Sequence, residues 1–100
     1  MAQNSLADEI GFITSEIADL DLSCVQLSYV PSPNAFKIFC GNVQVMIWYP
    51  NRRLVTFKFC DFQEYNLWMV GVDPGETMRI LQYTRGGYEF LEFCRQLSHE

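Results

Sequence analysis

One hundred residues make a single domain, residues 1–100, able to bury roughly 60–70% of the surface that its unfolded chain exposes. Apolar residues are 49% of the chain and aromatic ones 15%, and the net charge is −5. Eight Phe, five Tyr and two Trp are a heavy load for one small core, so some are expected at an interface, most economically that of a homodimer. Residues 1–36 hold no Lys or Arg but do hold Asp8, Glu9, Glu16, Asp19 and Asp21, whereas residues 37–100 balance in charge. That distribution argues against general nucleic-acid binding, which needs a basic footprint, and permits a basic partner. No apolar run reaches the ~20 residues of a membrane-spanning helix. The start MAQNSLADEI lacks a basic segment followed by an apolar one, so a cytosolic chain is expected.

Residues 5–20 read as a helix. Leu6, Ile10, Ile13, Ile17 and Leu20 fall on one stripe, and Ser5 with Asp8 three residues on resembles a capping box. Residues 24–30 alternate as a half-buried strand, and the run Pro31-Ser32-Pro33-Asn34 ends it in a turn. Residues 36–40, 43–49 and 54–60 are three further strands. Gly41-Asn42 forms a two-residue hairpin turn with Gly at the first position, where positive φ is needed, and residues 50–53 form the next turn. Residues 65–72 read as a fifth strand and residues 77–83 as a sixth, although Asp73-Pro74-Gly75-Glu76 fits a helix start as well as a type II turn. Gly86-Gly87 precedes a last helix over residues 88–97, with Phe90, Phe93, Cys94 and Leu97 on one side. The expected fold is α+β: an N-terminal helix, an antiparallel meander of five to six strands and a C-terminal helix, with the helices on one face of a two-layer sheet.

The strand register decides which side chains are available to partners. Across the Gly41-Asn42 turn, Cys40 faces Val43, Ile38 faces Val45 and Phe36 faces Ile47, so that Phe36, Ile38, Val45 and Ile47 share a face. If the next hairpin closes with four residues, Val55, Phe57 and Phe59 fall on the opposite face and both faces become apolar. An odd loop of three or five residues puts them with Phe36 and Ile38. A one-residue slip inverts a strand, so the cleanly sided odd loop is expected. The open face then carries Lys37, Phe39, Gln44, Met46, Trp48, Leu54, Thr56 and Lys58. In either register Cys40 and Cys60 lie too far apart, or on opposite faces, for a disulfide.

Catalytic motifs are scarce. The one His is His99 near the end of the chain, and the four cysteines have no C-x-x-C spacing, so free thiols and no metal or cofactor are expected. Asp61 and Glu64 read as solvated turn carboxylates, and Arg52-Arg53 at a hairpin tip is a weak candidate for an anion contact. The sequence thus favours a small acidic protein-binding module of adaptor, chaperone or inhibitor type, without enzymatic activity. Its contacts are expected at Lys37, Phe39, Met46, Trp48 and Lys58 on the sheet and at Glu16 and Asp19 on the acidic helix. The alternative is a small-molecule binder or small enzyme with an aromatic-lined pocket between sheet and helices; single-stranded nucleic-acid binding on the sheet ranks third.

Overall fold

The computed structural model describes residues 5–59, 62–72, 79–82 and 86–98, with the backbone alone at residues 62 and 79–82. The chain begins with helix α1 (Leu6–Ala18), where the Ser5 hydroxyl accepts the Asp8 backbone N–H at 3.1 Å and Asp8 and Glu9 occupy the first turn. Strands β1 (Gln26–Val30), β2 (Ala35–Cys40), β3 (Val43–Tyr49) and β4 (Leu54–Phe57) follow as an antiparallel meander. Helix α2 (Phe62–Met69) interrupts it before strand β5 (Arg79–Gln82) adds to β4, and helix α3 (Gly86–Ser98) closes the fold. The sheet order is β1-β2-β3-β4-β5.

The α+β class expected from the sequence is the one observed, but the consecutive meander has four strands rather than five to six. Residues 65–72 are not a strand: Tyr65, Trp68 and Met69 belong to α2. Their spacing of three and four residues is helical, and the apolar richness of the segment concealed it. Of the expected strand over 77–83, residues 79–82 form β5 and the remainder lies outside the described residues, as do Cys60, Asp61 and His99.

The hairpin between β3 and β4 closes with the even loop, correcting the odd loop expected. Tyr49 pairs with Leu54, a 3-10 turn spans Pro50–Arg52, and Arg53 at φ 48° donates its N–H to the Pro50 carbonyl at 3.1 Å. The largest apolar side chains still gather on one face because a second slip occurs in β3. Cys40 still faces Val43 across Gly41 (φ 63°), but Ile38 faces Met46 and Phe36 faces Trp48. Val45 is thus the extra residue of a β-bulge, and beyond it every side chain of β3 has changed face. Phe36, Ile38, Met46, Trp48, Val55 and Phe57 therefore line one face.

That face carries the core. Ile13 and Ile17 of α1 and Phe90, Leu91, Phe93, Cys94 and Leu97 of α3 are buried with Ile38, Val45, Met46, Trp48, Val55 and Phe57. Ring contacts tie the layers together: Trp48 to Phe90 at 5.4 Å, Phe57 to Phe93 at 5.7 Å, and Tyr65 of α2 to Phe93 at 5.7 Å and Phe59 at 5.8 Å. Gly87 makes the close approach of α3 possible. A Cβ there would stand 2.5 Å from both Ile13 Cδ1 and Trp48 Cζ2.

Candidate interaction surfaces

The structure separates the residues expected to form one contact face. Lys37, Phe39 and Lys58 do share the sheet face turned away from the helices, and all three are half-buried. Met46 and Trp48 are not among them: at 0% and 1% exposure they are core residues, because the Val45 bulge turned them inward. Ile47 and Tyr49 take their places. Ile47, Leu54 and Thr56 at the centre of this outer face are buried. A shallow recess at its β1–β2 end, about 250 Å³, is lined by Gln26, Ser28, Phe39, Gly41 and Asn42. It holds no titratable side chain and falls below the usual ~300–1,000 Å³ of ligand sites.

The two arginines of the hairpin tip do not converge on one anion. Arg52 lies over the Tyr49 ring at 5.5 Å, whereas Arg53 reaches Glu9 of α1 at 3.2 Å. The acidic helix is likewise engaged within the chain. Glu16 pairs with Arg95 of α3 at 3.0 Å, and Asp19 caps the C-terminus of α1 while remaining exposed. These pairs dock α1 on the loop before β4 and on α3, so Glu16 is first a structural contact.

Between sheet and helices, the aromatic side chains Trp48, Phe57, Tyr65, Phe90 and Phe93 make ring contacts with one another. Beside them lies a sulfur-rich corner. Cys40 Sγ is 3.4 Å from Met69 Sδ, and the Tyr65 hydroxyl is pushed well above its ordinary range, by burial first and then by Cys40 and Cys24. Burial pushes the Cys94 thiol up to about 12. A protonated buried thiol is a poor nucleophile, so Cys94 acts as an apolar side chain.

The exposed apolar residues are elsewhere. At the end of α2 and just beyond it, Leu67, Met69, Val70 and Val72 are 40%, 45%, 75% and 52% exposed. Half-buried Trp68 and exposed Gly71 lie between them and exposed Asn66 precedes them, so residues 66–72 carry no charge. Gly71 adopts φ 96°, and the Val72 N–H donates to the Leu67 carbonyl at 2.8 Å, folding the segment back on the helix end. Reading these residues as a strand hid the patch; helical spacing would have put Leu67 and Val70 opposite Tyr65 and Trp68. A second exposed pair, Leu27 and Tyr29, lies on the edge strand β1. No helix among the described residues is long and apolar enough to cross a membrane. Comparison of the chain with family models, curated proteins and solved structures finds no match.

Proposed function

We propose that the protein is a protein-binding module whose contact surface is the uncharged patch of Leu67, Met69, Val70 and Val72, and that its partner offers an apolar segment. The observation that supports this reading is the exposure of four large apolar side chains within six residues. A lone exposed Leu or Val means little, but a contiguous, charge-free patch is the composition of an interface core. Trp68 beside it is half-buried and packs on Phe59 at 5.4 Å, which ties the helix that carries the patch to the core. A preformed surface costs less conformational entropy on binding than a mobile one.

Site-specific photocrosslinking tests the proposal. A benzophenone amino acid at Asn66, exposed within the patch, is expected to trap a partner in the native cell, while the same group at Asp8 traps none or far less. The double substitution Val70→Asp with Val72→Asp should abolish the adduct and leave the melting temperature within a few degrees, since both side chains are exposed. Equal adducts from both positions, or an adduct that survives the double substitution, would overturn the assignment.

A further inference from the structure

We infer that strand β1 is a homodimerisation edge, on which a second copy of the chain pairs antiparallel about a twofold axis through Ser28. The inference is independent of the α2 patch and starts from the phase of the backbone hydrogen bonds. The Lys58 N–H donates to the Val45 carbonyl at 2.9 Å while Met46 lies opposite Phe57. In an antiparallel ladder bonded and non-bonded pairs alternate, so Ile47 and Tyr49 turn their N–H and C=O toward β4, and Met46 and Trp48 turn theirs toward β2. Their partners Ile38 and Phe36 reciprocate, which leaves Ala35, Lys37 and Phe39 to bond β1 through Val30, Ser28 and Gln26. The N–H and C=O groups of Leu27 and Tyr29 therefore point outward from the sheet edge. Among the described residues no strand lies beyond β1.

An axis through Ser28 satisfies all four outward groups of each copy. Leu27 then faces Tyr29 of the second copy, and Tyr29 faces its Leu27. Each of these two pairs exchanges both hydrogen bonds, while Ser28 faces Ser28 in the narrow non-bonded pair between them. The side chains agree with the backbone. Leu27 and Tyr29, 38% and 50% exposed, are the apolar positions that this pairing sets against each other. They also continue the core outward, since Tyr29 lies 4.6 Å from Phe36, which stacks on Trp48 at 5.0 Å. The usual devices against edge pairing are missing. Val25–Val30 contains no charge, Pro or Gly, and the β1–β2 register runs without a bulge. A chain with net charge −5 meets its copy here through a neutral strand, so repulsion at the contact is small.

The test uses the full chain. Light scattering over a concentration series is expected to show a mass rising from 11.6 kDa toward twice that value, and Leu27→Pro, which removes an outward N–H without touching the β1–β2 ladder, should hold it at the monomer. Ser28→Cys should form a covalent dimer under mild oxidation at least tenfold faster than the wild-type chain, because facing Cα atoms of a non-bonded pair stand about 4.5 Å apart, within disulfide reach. Gln26→Cys, displaced from its own copy by four residues, should not. A monomer at all concentrations, or a dimer in which Cys at position 28 crosslinks no faster than at position 26, would overturn the inference.

Discussion

Trp48 joins three elements through one side chain. It stacks on Phe36 of β2 and meets Phe90 of α3 at a tilt, and α1 reaches it through Ile13, with Gly87 leaving room for Ile13 and the Trp48 ring. Interiors are packed as densely as organic crystals, so removing a ring at such a junction leaves a cavity that the neighbours cannot fill. Trp48→Ala is therefore expected to cost about 3–5 kcal/mol, read as a lower urea midpoint at unchanged slope. Phe39→Ala, half-buried on the opposite face, should shift the midpoint by less than half as much. Equal shifts would mean that Trp48 is a surface residue after all. The individual residues were well placed by their chemistry in the helices, where Ile13 and Ile17 are buried as their spacing required. They were misplaced in β3, where period alone put Met46 and Trp48 outside.

The bulge at Val45 explains that error at the level of the element. Two hairpins of even loop length, read with strict alternation, put Trp48 with Val55 and Phe57 opposite Phe36 and Ile38, and one inserted residue brings all five to one face while Ile47 and Leu54 fall on the other. A strand carries no mark of a bulge when the inserted residue is itself apolar, because Val43, Val45 and Ile47 alternate as neatly as Met46 and Trp48 do. The bulge yields a test of the register. Deleting Val45 leaves Val43, Met46 and Trp48 alternating correctly, so the variant should still unfold cooperatively, with a loss near the ~1–2 kcal/mol of one buried Val. Deleting Thr56 from β4, which has no bulge, would turn Val55 and Phe57 to opposite faces, and that variant should not fold. Circular dichroism and thermal melts distinguish the two. A folded Thr56 deletion, or an unfolded Val45 deletion, would contradict the register. The same scale accounts for α2: an apolar run of eight residues is ambiguous between strand and helix until something packs on it, and here Tyr65 meets Phe59 and Phe93.

Over the whole molecule, charge and burial act on stability in different ranges. The ion pairs Glu9–Arg53 and Glu16–Arg95 link α1 to the rest; the second is exposed at both ends, and such a pair contributes only about 0–1 kcal/mol and is screened by salt. Alkaline pH acts more strongly. Burial raises the Cys94 thiol from 9.0 to about 12, so the folded state keeps a proton that the unfolded chain releases above about pH 9. That stabilisation is intact below pH 9 and is lost at about 1.4 kcal/mol per pH unit as the pH climbs toward 12. Tyr65, raised in the same direction, steepens the loss at the upper end. Urea unfolding between about pH 8 and 11 should show the decline in the native chain and a shallower one in Cys94→Ala; parallel curves would remove Cys94 as its source.

The sequence by itself determined the quantities that depend on neighbours along the chain: the α+β class, the capped first helix, the Gly41 hairpin, the acidic first third and the four consecutive strands. Each rests on local periodicity or on the φ that a single residue allows. Which faces the strands and α2 show was decided by tertiary structure alone. A bulge costs one unpaired residue anywhere in a strand, and only the packing of Phe36, Trp48 and Phe90 on one side of the sheet selects its place at Val45. The same packing placed Trp48 inside and left Leu67, Val70 and the β1 edge outside.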